Sequence, residues 1–476
     1  MLFTSPIFLF LFLPITLAGY WLVCKKLQHL FLLGASIFFY IWGDGCYVVL
    51  LIFSILANYA FGILAARYRD SSKGSWVIWL AIGVNLGALV WYKYAAFIVR
   101  NINLTLSCFE LQPAQIQYQH LPLGISFFTF QAIAYVIDTY RQQATPQTSL
   151  PRFALFMALF PKLLAGPIIR YGEVAEDLPY RTLDLKLFSS GVTRFVIGLG
   201  KKVLIADTLS KTTNQLFAIP QQELTSALAW LGIICYSDMA IGLGRMFGFR
   251  IQENFNYPYT GRSLSDFWRR WHISLSSWFR DYLFIPLSYA LMTDRIRETL
   301  AANKYKTHYR SAFSIFIVFT LCGLWHGAGY MFIAWGMVHG AILAVESLWL
   351  GKIIKKWKPP FQHAYLLFVV MMTWVLFRSP GVKYAICYFK ALAGINLNTG
   401  LQYHLSLYIN NELLIALLVG VIAATPVAKV ISKYFKRESM HKFAPVAEVA
   451  FIAMILLASF ASVANSIFSP FIYQQF

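Results

Sequence analysis

The chain has 476 residues, 58% of them hydrophobic and 13% charged, with a mean hydropathy of +0.59. Soluble domains carry roughly 25% charged residues, and a surface needs more polar cover than this composition supplies. A soluble enzyme is therefore excluded, and lipid is the expected solvent. The net charge of +20 comes from basic residues gathered between apolar runs, at 25–26, 67–73, 201–202, 295–310, 352–358 and 429–437. That is the pattern of cytoplasmic loops, and no nucleic-acid partner is indicated.

Residues 1–23 are apolar, with no basic residue ahead of them and Lys25–Lys26 behind. They read as an uncleaved first span whose start lies outside. Further segments begin near Leu30, Val48, Trp76, Leu121, Leu187, Ala227, Phe313, Tyr330, Ala364, Leu413 and Val446. Runs such as 48–65 and 446–463 approach the ~20 residues that a helix needs to cross ~30 Å of hydrocarbon. They do not alternate in polarity, which argues against a transmembrane barrel. The expectation is an all-α polytopic membrane protein of about 10–12 membrane segments, forming a single domain over residues 1–476.

Two stretches depart from simple spans. Residues 153–169 contain Pro161, Lys162, Gly166 and Pro167, a helix-breaking set expected either to re-enter the membrane or to line a cavity. Residues 101–120 are expected outside by span parity. Residues 252–310 form the longest polar part of the chain, an amphipathic region expected at the cytoplasmic interface. Within it, 263–287 read as one helix lying along the membrane, because Phe267, Trp271, Leu275, Trp278 and Tyr282 recur at three- and four-residue steps. Ser263 or Ser265 is the expected cap, Asp266 suits the first turn and Pro286 should end the helix. Its Trp-rich face is expected among lipid headgroups.

Six scattered cysteines without a CxxC pair give no zinc site or disulfide framework. Phosphate-binding glycine loops, a serine elbow and HExxH are missing, which argues against ATP hydrolysis, nicotinamide chemistry and serine esterase chemistry. The best chemical candidate is His326. It follows Phe313 by thirteen residues, about 20 Å into a core ~30 Å thick, and has small neighbours in Gly323, Gly327 and Gly329. Two readings stand: an imidazole facing a cavity, or a neutral histidine bonded to a neighbouring helix. His272 reads as an ordinary interfacial histidine. His339, thirteen residues beyond His326, should point to a different face at 100° per residue. Asp138, Asp207, Asp238 and Glu346 read as helix-packing contacts, while Lys162 and Arg170 are placed to meet an anionic ligand.

The run Asp266-Phe-Trp-Arg-Arg-Trp-His-Ile-Ser-Leu-Ser-Ser-Trp-Phe-Arg-Asp-Tyr282 resembles the signature of membrane-bound O-acyltransferases. Gly323-Leu-Trp-His-Gly-Ala328 resembles the segment that holds that family's catalytic histidine. Leu121–Gln131, Phe160–Ile168, Tyr236–Gly244, Glu253-Asn-Phe-Asn-Tyr-Pro-Tyr259 and Pro470-Phe-Ile-Tyr473 are similar to the bacterial alginate O-acetyltransferase branch. The resemblance implies a ring of spans around a thin central funnel. It makes His326 the catalytic residue and His272 a second histidine on the cytoplasmic side.

It also implies acetyl transfer, with no bound cofactor, from acetyl-CoA or another acyl thioester as co-substrate. The acceptors would be hydroxyls of a polysaccharide outside the bacterial inner membrane, with an extracytoplasmic acetyltransferase partner. An imidazole, with an ordinary pKa near ~6.5, suits the removal of a hydroxyl proton. Direct transfer is simpler here than a covalent relay. After Phe284-Ile-Pro-Leu287 the chain continues Ser288-Tyr-Ala-Leu-Met-Thr-Asp294 where a glycine-rich turn is expected of alginate enzymes, which leaves the polymer open. The competing readings are a scaffold for a secretion complex and a transporter or lipid-linked sugar flippase. Transporters usually carry matching broken helices in two halves, and here the Gly-Pro break lacks a counterpart.

Overall fold

A computed structural model describes residues 3–116, 120–163, 166–176, 178, 184–217, 246, 253–290, 304–395, 405–427 and 444–465, and these contain helices and no strands. The expected segment near Ala227, Asp238, and residues 295–297, 429–437 and 470–473 lie outside the described residues. Five described helical stretches, some made of more than one helix, are long and apolar enough to cross a membrane: Gln28–Arg67, Ser72–Cys108, Tyr330–Ile354, Pro359–Arg378 and Val446–Ala464. Phe8–Leu22 and Asn411–Ala423 are shorter apolar helices. Residues such as Leu22, Val49, Trp76, Phe361 and Leu457 leave these helices bare on their outward sides, a surface suited to lipid. The described residues form two compact units, one taking the chain up to Phe195 and the other built mainly from Glu253 onward.

The first unit contains α1 (Phe8–Leu22), α2 (Gln28–Asp44), α3 (Val48–Arg67), α4 (Ser72–Leu89), α5 (Ala95–Cys108), α6 (Ile125–Tyr140), α7 (Leu150–Ala158) and α8 (Phe160–Leu163). At its centre is α6, with 13 of its 16 residues buried. Gly62 of α3 lies directly on the Tyr135 ring, where a Cβ would collide with it. Between α3 and α4, Asn58 and Asn85 exchange amide hydrogen bonds of 3.1 and 2.8 Å, a polar lock of the sort that fixes helix register in lipid.

The predicted break falls between α7 and α8, where Leu159 leaves the helical region at φ −53° and ψ 110°. Its described residues are buried, which is how irregular backbone persists at membrane depth. Lys162 is buried: Nζ donates to Gln131 Oε1 at 3.0 Å and lies 3.8 Å over the Phe156 ring.

The second unit contains α9 (Asp207–Phe217), α10 (Leu264–Trp268), α11 (Ile273–Phe279), α12 (Ile285–Ala290), α13 (Lys304–His326), α14 (Tyr330–Val345), α15 (Pro359–Arg378), α16 (Val382–Leu392), α17 (Asn411–Ala423) and α18 (Ala444–Asn465). A glycine seam joins α13 to α14. A Cβ on Gly323 would strike the Phe332 carbonyl and the backbone of Gly336, and one on Gly336 would strike the Phe319 carbonyl. The two backbones therefore touch, the close approach that small residues permit between helices.

The expected interfacial helix over 263–287 is not one helix. It is α10, a turn at 269–272, α11, a π-helical turn over Arg280–Phe284, and α12. Leu264, Phe267, Trp268, Leu275, Trp278 and Tyr282 are buried against protein rather than spread among headgroups. The Ser263 hydroxyl does cap α10, accepting from Asp266 N at 3.1 Å. Pro286 lies inside α12 instead of ending it. The preceding π turn alters the hydrogen-bond register ahead of the proline, which has no N–H to contribute.

Candidate active site

His326 is the last residue of α13, and Gly327, Ala328 and Gly329 carry the chain into α14. The imidazole is half-buried among aromatic rings. Trp325 lies 4.9 Å away, Trp335 5.0 Å at 88° and Phe377 of α15 5.3 Å at 80°, all edge to face. Each such pair contributes about 0.5–1.5 kcal/mol beyond its burial, and together they hold the ring plane. Gly327 is required at the turn, because a Cβ there would enter the Phe332 ring, which packs in turn on Phe377 at 5.0 Å.

The second predicted residue, His272, is brought beside the same wall. It is buried, and its ring lies 6.3 Å from Trp325 and 5.9 Å from Phe255. Trp325 thus neighbours both histidines. Burial pushes the His272 pKa down to about 4, so the imidazole is neutral at physiological pH. Its Nδ1 has no hydrogen-bond partner outside its own residue among those described. The backbone of His272 is left-handed, with φ 45° and ψ 54°, a conformation uncommon for residues other than Gly, though His, like Asn and Asp, is found there more often than most.

His339 does not point away from this cluster. The helical-wheel projection fails because α13 stops at His326 and a new helix starts at Tyr330, so the 100° step does not carry across the turn. The His339 ring lies 4.6 Å from Trp335. Trp268 Nε1 donates to its Nδ1 at 3.3 Å, its Nε2 meets Thr373 Oγ1 at 2.9 Å, and that hydroxyl donates to the Val370 carbonyl at 2.9 Å. Indole only donates, so the network requires the neutral tautomer with its proton on Nε2. His339 is a pin between α10, α14 and α15.

Two anchors fix the turn that carries His272, and the sequence alone gives the role of neither. Glu346, read there as a packing contact, receives Leu264 N at 2.8 Å, Ser265 N at 2.9 Å, Ser265 Oγ at 2.5 Å and Tyr365 Oη at 3.1 Å. Its carboxylate satisfies the first backbone donors of α10. Asn254 does the same for α11: its carbonyl accepts from Ile273 N at 2.9 Å, and its Oδ1 from Ser274 N at 3.0 Å and Ser274 Oγ at 2.9 Å.

The nearby arginines are partly neutralised. Arg270 Nε reaches Asp266 at 3.1 Å and Arg280 Nε reaches Asp281 at 2.6 Å, while Arg269 is largely exposed at 3.9 Å from Asp266. Asp207 is paired with Lys202 at 2.6 Å. Tyr259 ends the motif that starts at Glu253, but the sequence assigns it no role. Its ring packs on Phe267, Trp271 and Trp374, and its buried hydroxyl has no partner among the described residues.

The sequence model of the membrane-bound O-acyltransferase family matches residues 86–388. The chain is 36% identical to a probable alginate O-acetylase of Pseudomonas putida, covering 100% of both chains. It is 32% identical to a peptidoglycan O-acetyltransferase of Helicobacter pylori, over 83% of this chain and 80% of that one. A teichoic acid D-alanyltransferase of Streptococcus thermophilus is 28% identical over 60% of this chain and 68% of its own.

Proposed function

Because the chain belongs to the membrane-bound O-acyltransferase family, we propose that it moves an acetyl group from a cytoplasmic thioester to a polysaccharide outside the bacterial inner membrane. Family membership decides between the enzyme and the transporter: the protein is a multi-pass membrane O-acyltransferase. The names of the relatives support acetyl as the group and a cell-envelope polymer as the acceptor. Acetyl-CoA or another acyl thioester is the co-substrate, and an extracytoplasmic acetyltransferase is the expected partner in delivery. The reaction is assigned to one acyltransferase domain over residues 1–476, with 252–310 as its cytoplasmic region.

The observation that carries this reading is His326, half-buried at a helix end inside an aromatic wall. As general base, the neutral imidazole takes the proton of an acceptor hydroxyl while the hydroxyl oxygen bonds to the thioester carbonyl carbon. Collapse of the tetrahedral intermediate breaks the C–S bond, and the imidazolium returns the proton to the departing thiolate. The products are an O-acetyl ester and a free thiol. The surrounding rings limit the entry of water, which would otherwise hydrolyse the thioester. His272 is assigned as the second histidine of the site, on its cytoplasmic side.

General base catalysis contributes about 10²–10⁴-fold. His326→Ala should therefore lower polysaccharide O-acetylation by at least about 10²-fold, or roughly 2.7 kcal/mol of barrier. His326→Gln keeps hydrogen-bonding capacity but accepts no proton, and should be as inactive as Ala. Near-normal O-acetyl content in cells expressing the Gln variant would remove His326 from the chemistry.

A further inference from the structure

The start of α11 is built in an unusual way. Its first backbone N–H groups need partners outside the helix, and an N-cap Ser, Asp or Asn in extended backbone ordinarily supplies one. Here the N-cap is His272, left-handed at φ 45° and with no side-chain cap. The two donors that follow it go instead to Asn254, 18 residues upstream: Ile273 N to its carbonyl, and Ser274 N to its Oδ1. Ser274 Oγ donates to the same Oδ1. On the other side of the turn, Asn256 N donates to the Arg270 carbonyl at 2.9 Å. The segment around Asn254 thus grips both flanks of position 272 and leaves the imidazole without a capping duty.

A left-handed non-glycine residue costs roughly 1–3 kcal/mol. A turn chosen for backbone economy would place Gly or Asn there. The strain is sustained at a residue whose ring faces Trp325, the neighbour of His326. Asn254 is itself buried, so its carbonyl and amide oxygens form a fixed template rather than a solvated contact.

We infer that Asn254 is a positioning residue for the active site: by capping α11 in place of His272, it holds the His272 imidazole inward against Trp325. This rests on the proposed acyltransferase reading in so far as His272 takes part in transfer. The hydrogen bonds of Asn254 to Ile273 and Ser274 all use its oxygens as acceptors. Asn254→Asp therefore keeps the cap, and a carboxylate is favourable at a helix start. Asn254→Leu keeps the approximate size and removes the side-chain acceptor.

Two measurements on the full-length protein in nanodiscs test this. In a cysteine-free background, a His272→Cys thiol should be protected from maleimide with Asn254 or Asp present, and should label at least about tenfold faster with Leu. Equal labelling in all three, or loss of protection with Asp, overturns the inference, and the Asp arm decides even if the Leu variant does not fold. In the native background, Asn254→Leu should lower kcat for acetyl transfer about as far as His272→Ala does, and the double variant should fall no further than His272→Ala alone. Multiplying losses would show that Asn254 acts elsewhere and overturn the inference. Full activity of His272→Ala with the labelling pattern intact would instead refute the catalytic part of His272 while the positioning stands.

Discussion

Replacing Glu346 by Gln tests whether the start of α10 is held as its geometry indicates. The carboxylate accepts four hydrogen bonds, two of them from backbone N–H groups on different oxygens: Leu264 N on Oε1 and Ser265 N on Oε2. A glutamine has one carbonyl oxygen and one NH2. Whichever way the amide turns, one backbone N–H faces another N–H. The Ser265 and Tyr365 hydroxyls can rotate to accept from the new NH2, but a backbone donor cannot. An unsatisfied buried donor costs about 1–3 kcal/mol, and losing charge assistance in the other bonds brings the total to about 2–4 kcal/mol. At the usual unfolding entropy per residue, a chain of this length melts about 1 °C lower per kcal/mol. Differential scanning fluorimetry in detergent should therefore show Glu346→Gln melting about 2–4 °C below the parent. Tyr365→Phe, which removes a single hydroxyl donor, should move the melting point by about 1 °C. O-acetyl transfer should fall with it, because α10 bears Trp268, which pins His339 and Trp335 beside His326. A Gln variant with unaltered melting and activity would refute the reasoning.

Three further outcomes are expected. His339→Ala unpairs the Trp268 indole, leaves Thr373 only its bond to Val370 and opens a cavity, so it should cost about 3 kcal/mol and lower activity, seen as reduced melting and transfer; an unaffected variant would show that the pin is dispensable. His272 has a folded pKa of about 4, below its unfolded value near 6.5, so the unfolded state binds more protons between these values. The stability this residue allows is complete above about pH 6.5 and is lost as pH falls toward 4, and denaturant titrations across that window should flatten in His272→Ala. For topology, single cysteines in a cysteine-free background should react with impermeant maleimide in intact cells at Gln115 and stay protected at Lys304, and the reverse result would invert the map.

The long spans are legible because lipid solvation demands unbroken apolar runs, and the starts near Leu30, Val48 and Tyr330 fall close to α2, α3 and α14. The segment ending at His326 is legible as a motif at the end of an apolar run. The division of 263–287 is not. No glycine or proline stands between Trp268 and Ile273, and the apolar spacing continues through the turn because each short helix buries its own face. What breaks the helix is the left-handed backbone at His272, braced by Asn254 from 18 residues away. Glu346 lies 82 residues from Leu264, and no local pattern reports a carboxylate that serves another helix's amides.

The glycine seam between α13 and α14 has a bearing on the size of group that the site can admit. With Gly323 against Gly336, no side chain lies between the two backbones at that point to be trimmed or repacked. The main chain bearing His326 and the main chain bearing Trp335 are spaced like two planks laid edge to edge. On the proposed acyltransferase reading, room for a bulkier acyl chain beside His326 comes from the Trp335 indole or the Phe377 phenyl and not from parting the helices. The aromatic cluster is adjustable by its furnishings and fixed in its backbone.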